Sequence, residues 1–129
     1  MTFVDTNYFL RFLLNDISKQ HLEAKQLFLE ASEGKVKLFS STIVFFEIYW
    51  VLSSYYEKNK EELVEGLQKI LDLKFISLKE RQILLNCLAR FKKTNFDLED
   101  CYNVAYAKAR VSLGFKTFDV KLEKEFKKK

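Results

Sequence analysis

The chain has 129 residues, of which 48% are hydrophobic, 31% charged and 16% aromatic; this is enough core for one domain, residues 1–129, and excludes disorder. With no Pro and three Gly it is neither collagen-like nor a flexible linker, and so few breakers favour long helices. The formal net charge of +4 is uneven: residues 1–64 carry seven Lys/Arg against nine Asp/Glu, residues 65–129 fifteen against nine, so only the second half suggests a polyanionic partner.

Two Cys give no disulfide framework and no CxxC knuckle, which fits a reducing compartment. The opening MTFVDTNYFL lacks the basic region of a signal peptide. The longest apolar run, residues 43–52, is interrupted by Glu47 and falls well short of the roughly 18 residues that span a bilayer. A soluble cytoplasmic protein with no membrane partner is expected.

Residues 1–5 read as a buried strand, and residues 6–14 as a helix with Phe9, Phe12 and Leu13 at helical spacing. Ser18 is expected to cap a second helix and Gly34 to stop it. Residues 36–40 alternate and read as a second strand. Residues 41–56 form a helix apolar almost all round, which implies burial or a subunit contact. Asn59-x-x-Glu62 is a capping box opening a helix to about Leu71; residues 74–77 are a third strand. Ser77-x-x-Glu80 predicts another capping box, with its helix running to about Lys93. Asp97-x-x-Asp100 opens a helix closed by Gly114, residues 115–118 read as a fourth strand, and a short basic helix follows. Strands alternating with helices predict the α/β class: a three-layer α/β/α sandwich on a short, mainly parallel sheet, with ligands beyond the carboxyl ends of the strands.

Acidic residues stand at those ends. Asp5 closes the first strand and Asp119 the fourth, while Glu47 lies about two turns into the helix after the second, between four apolar residues and five. Burying an unpaired carboxylate is costly, so Glu47 needs a partner, and a metal ion is one. Asp97 has the position of an N-cap, worth about 1 kcal/mol, and Asp100 that of an acid favoured by the helix dipole. Singly, each acid reads more readily as structural. Together, Asp5, Glu47, Asp100 and Asp119 are expected to converge on one sheet edge, where their repulsion calls for a hard divalent ion with oxygen ligands.

Val4-Asp5-Thr6-Asn7, Glu47 in its apolar helix, Asp97-Leu98-Glu99-Asp100-Cys101 and Thr117-Phe118-Asp119, in this order, resemble a PIN domain over residues 1–126. In size and motif order the chain is similar to VapC-type toxins, the ribonucleases of toxin–antitoxin pairs. That resemblance implies a metal-dependent endoribonuclease leaving 5′-phosphate and 3′-hydroxyl ends. It implies Asp5, Glu47, Asp100 and Asp119 as catalytic and metal-binding residues for Mg2+ or Mn2+, with Asp97, Thr117, Thr6 and Asn7 as further candidates. It also implies a homodimer and a small antitoxin that covers the site, with Tyr8, Phe9 and Phe12 as a candidate groove or, equally, as core. Cys101 departs from the Ala common in the family and is read as packing. Lys92, Lys93, Lys108, Arg110 and Lys116 are candidates for steering RNA phosphates.

Other chemistries lack their residues. A haloacid-dehalogenase-like phosphatase needs a second Asp where Asn7 stands, and a phospho-receiver needs an Asp where the third strand ends at Ser77. There is no Walker loop or GxGxxG. His21, the one His, reads as a surface or interface residue, and neither Cys87 nor Cys101 has a predictable His partner. The alternative from another class is a catalytically silent PIN-fold module that binds RNA or protein; a complete acidic quartet argues against it.

Overall fold

A computed structural model describes residues 1–128. The chain divides into two compact units, residues 1–80 and the residues that follow.

The first unit carries a parallel three-stranded sheet, ordered β1 (Thr2–Phe3), β2 (Leu38–Phe39), β3 (Ile76–Ser77). Thr2 lies opposite Leu38 and Phe3 opposite Phe39; Leu38 in turn lies opposite Ile76, and Phe39 opposite Ser77. Single bonds prolong each ladder, from the Val4 amide to the Phe39 carbonyl at 2.9 Å and from the Ser40 amide to the Ser77 carbonyl at 3.0 Å. The first crossover holds α1 (Thr6–Leu13) and α2 (Ser18–Ser32); the second holds α3 (Thr42–Ser54) and α4 (Lys60–Leu71).

Side chains decide these boundaries. Ser41 accepts from the Val44 amide and starts α3, and Asn59 with Glu62 closes the expected capping box on α4. Gly34, at φ +79°, ends α2 in a Schellman turn: its amide bonds the Ala31 carbonyl at 3.0 Å, and the Lys35 amide bonds Glu30 at 2.9 Å. Two expected caps do not form. Ile17, with no side-chain cap bond, precedes α2, so Ser18 is already its first residue. Ser77 belongs to β3, four residues before the next helix begins at Arg81, too far for a capping box. The core of this unit gathers Val4, Phe9, Leu10, Phe28, Leu38, Phe45, Ile48, Leu67 and Ile76, all at most 2% exposed. Phe28 is its aromatic hub, 5.6 Å from Phe9, 4.9 Å from Phe12 and 6.3 Å from Phe75 between ring centroids.

The second unit is helical among the described residues: α5 (Arg81–Lys93), α6 (Leu98–Ala109) and α7 (Val120–Lys127). Leu84, Cys87, Leu88 and Phe91 line one face of α5, and Leu98, Cys101, Val104 and Ala105 one face of α6; all are buried. Cys101 is packing, as expected: burial pushes its thiol, like that of Cys87, above the usual range.

The fourth strand does not form. Residues 115–118 pair with no strand. Phe115 instead stacks on Phe126 of α7 at 5.2 Å, and the Thr117 hydroxyl accepts from the Asp119 amide at 3.1 Å, a local turn that competes with a ladder. Nor does Gly114 close α6. Val111 does, at φ 52°, with its amide bonded to the Lys108 carbonyl at 3.0 Å and the Ser112 amide to Ala107 at 3.1 Å. Among the described residues no helix is long and apolar enough to cross a membrane.

Candidate active site

In the first unit the site residues are built around Thr6. Asp5 sits beyond β1 as the N-cap of α1, and its Oδ1 accepts from the Thr6 amide at 2.7 Å. The Thr6 hydroxyl, on a residue only 9% exposed, donates to Glu47 Oε1 at 3.0 Å. One residue therefore holds the first two carboxylates, which lie 42 positions apart in the chain. Glu47 is half-buried, and its partner is this neutral donor on α1. Asn7 is exposed. The β2 end is tied in as well: Ser40 donates to the Val4 carbonyl at 2.8 Å, and Thr42 to Glu80 Oε1 at 2.6 Å. Glu80 is thus a further carboxylate at a strand's carboxyl end, where the sequence had suggested only a helix cap.

In the second unit Asp97 caps α6, its Oδ1 accepting from the Asp100 amide at 2.8 Å. Asp119 caps α7, its Oδ1 accepting from the Leu122 amide at 3.1 Å. Thr117 turns the backbone into Asp119. Burial raises the Asp100 carboxyl above its ordinary range, and the negative charges of Asp97 and Asp119 raise it further. Three acids of this unit therefore share one electrostatic neighbourhood.

The capping bonds of Asp5 and Asp119 use one oxygen each, leaving the other without a hydrogen bond among the described residues. In each unit the acids are hard oxygen donors, the donor chemistry that suits a divalent cation. Among the described residues, however, no group of three or more His, Cys, Asp or Glu is closed enough to hold a metal ion.

Phe9 is 1% exposed and belongs to the core, and Phe12 packs on Phe28, so of the suggested groove residues only Tyr8, at 38% exposure, offers an accessible large side chain. His21 is held by its Nδ1, which donates to the Arg11 carbonyl at 2.8 Å, a tie between α1 and α2. Arg110 lies over the Tyr106 ring at 4.7 Å, and Lys108 over Phe126 at 5.6 Å.

A helix-rich α/β chain with a short parallel sheet and carboxylates following its strands is the architecture of a family of nucleases. The chain belongs to that family: the PIN domain model matches residues 2–125, and the α/β class is the one a PIN-like sandwich requires. PIN domains are generally nucleases and typically use divalent metal ions. No curated protein matches the chain at a significant level.

Proposed function

We propose that this protein is a Mg2+- or Mn2+-dependent endoribonuclease, a single PIN-like domain over residues 1–129, and the toxin of a toxin–antitoxin pair. The observation that carries the reading is the state of the acids: capping bonds that leave oxygens of Asp5 and Asp119 unused, and an Asp100 carboxyl driven up by burial and by two neighbouring acids. Asp5, Glu47, Asp100 and Asp119 would hold the ion, with Asp97 as the alternative third acid. When bound, a divalent ion supplies Lewis acidity toward the phosphodiester and offsets the charge that grows on it.

The chain's own residues do the rest. Thr6 orients Glu47 through Oε1, leaving Oε2 to take a proton from the attacking water. Thr117 sets the turn that presents Asp119. Lys92, Lys93, Lys108, Arg110 and Lys116 draw the RNA backbone in; such contacts set encounter rate and salt dependence rather than sequence choice. A homodimer and a small antitoxin complete the reading, and both partners work outside any membrane, in the cytoplasm. Ile43 and Trp50, seven residues apart on one face of α3 and 59% and 40% exposed, supply apolar surface for such a contact.

The test is cleavage. Purified protein with Mg2+ should cut single-stranded or loop RNA, EDTA should stop it, and Asp5→Asn should abolish both cleavage and the rise in melting temperature given by Mn2+. Metal-stabilised protein that binds RNA without cutting it would instead identify a silent PIN-fold module.

A further inference from the structure

Helices α6 and α7 run side by side in the same direction. Their first turns bring Asp100 and Asp119 into one electrostatic neighbourhood, and at their far ends the Lys108 ammonium donates to the Lys128 carbonyl. Beside those far ends lies a cleft of about 420 Å3, which also borrows a face of α5. Among the described residues its charged lining is Arg90, Lys93, Lys108 and Lys128 against a single carboxylate, Glu125. Glu125 is already committed, at 2.5 Å to Arg90 Nη1 and 3.4 Å to Lys128 Nζ. Burial alone would raise the Glu125 carboxyl, but those two cations hold it below the ordinary range. Arg90 meets it through one terminal nitrogen, while its buried Nε has no hydrogen-bond partner among the described residues. Lys93 has no ion-pair partner among the described residues.

The cleft therefore carries three more positive charges than negative ones, inside a volume suited to a small ligand group. Among the described residues its apolar lining is Ala89 and Ala105, with no aromatic wall on which a base could stack, so its chemistry is that of phosphate and sugar rather than nucleobase. Lysines in a last helical turn also offset the helix dipole, which accounts for Lys93 and Lys108 singly. It does not account for four cationic residues lining one shared space with one carboxylate.

Along α6, eight residues separate Asp100 from Lys108, about 12 Å of helix rise. A lone mononucleotide engages one end of that span, whereas a strand engages both. We propose that this cleft binds a phosphodiester of single-stranded RNA that flanks the cleaved one; the flanking role rests on the nuclease reading above, the binding itself does not.

The test is equilibrium binding of a fluorescein-labelled single-stranded oligoribonucleotide by the whole chain in EDTA, followed by anisotropy across a salt series. Lys93→Ala/Lys108→Ala should weaken binding about tenfold at low salt and flatten the slope of log Kd against log salt by about 0.7 for each phosphate no longer neutralised. Lys19→Ala/Lys25→Ala, which removes equal charge from the exposed face of α2, should leave both quantities unchanged. Should the double variant melt early, Lys93→Glu alone, at an exposed side chain, must show the same weakening.

Equal losses in the cleft and control variants, or no loss in either, overturn the proposal. So does displacement of the RNA by inorganic phosphate or by a mononucleotide at equal phosphate concentration, which would make this a free-phosphate site. Wild-type protein that binds RNA through the cleft but never cuts it refutes the nuclease reading and keeps this one. Undiminished binding by a cleft variant of an active nuclease does the reverse.

Discussion

In residues 1–80 the candidate carboxylates Asp5 and Glu47 share Thr6, whose amide serves one and whose hydroxyl serves the other. In the second unit Asp97 and Asp119 act on Asp100 through their charges, and its carboxyl is driven up first by burial and then by that field. Neutral donors take the place of water around a carboxylate, whereas neighbouring acids repel one another. Loss of metal should therefore be felt through Asp100 far more than through Asp5 or Glu47. The second unit also contains its own counterexample. Burial acts on the Glu125 carboxyl too, but Arg90 and Lys128 shift it the opposite way.

The largest expected effect breaks the Asp97–Asp100 pair. Asp100→Ala should reduce RNA cleavage by orders of magnitude, while Asp97→Ala should mainly cost the α6 cap, about 1 kcal/mol by denaturant titration. The reverse pattern would make Asp97 the third acid. Next, Glu125→Gln removes the charge opposite Arg90 and should destabilise the protein by about 2 kcal/mol at neutral pH. The sign with pH follows from the lowered carboxyl: the stabilisation is complete above the ordinary Glu range and is lost as pH falls through the folded value. Wild-type and Glu125→Gln melts should thus converge in acid.

A pair of helix ends sharpens the comparison on the backbone. Gly34 and Val111 occupy the same position in two Schellman turns, at φ +79° and 52°, and only the first residue tolerates it freely. Val111 is 83% exposed, so little packing goes with its side chain. Val111→Gly should stabilise by about 1 kcal/mol, and Gly34→Val, where an added Cβ meets nothing within 4 Å, should destabilise by about as much. Thermal melts of both variants check it.

Smaller shifts separate the two kinds of carboxylate. Asp100→Asn should raise the melting temperature in EDTA, because a raised carboxyl pKa means that its ionised form costs stability. That cost appears as pH rises from the unfolded value through the folded one, and the variant should lose this part of the pH dependence. Glu47→Gln keeps an oxygen for the Thr6 hydroxyl and should change stability in EDTA by less than about 1 kcal/mol, yet sharply reduce cleavage. Clear destabilisation would make Glu47 a structural acid.

Features built from neighbours in the chain were legible in the sequence. The capping box at Asn59, the cap at Asp97, the stop at Gly34 and the amphipathic faces of α5 and α6 need residues only a few positions apart, so the pattern contains the whole interaction. Asp5 at the end of β1 was legible for the same reason, since in an α/β chain the residue after a strand faces the ligand edge; Asp119 was placed at the end of a strand that does not form.

Tertiary structure alone decided the rest. Glu47 looked unpartnered because its donor, Thr6, lies 41 positions away. Residues 115–118 have strand-like composition, but Phe115 found Phe126 and Thr117 found the Asp119 amide, so the ladder was never joined. Val111 took the left-handed position that sequence preference assigns to Gly114, three residues on. The basic cleft was invisible as well, because Arg90 and Glu125 are 35 positions apart and meet only when α5 and α7 pack. A sequence displays local bonds in full. A long-range bond appears in it only as two residues without evident partners, and the energy that joins them belongs to the packed state.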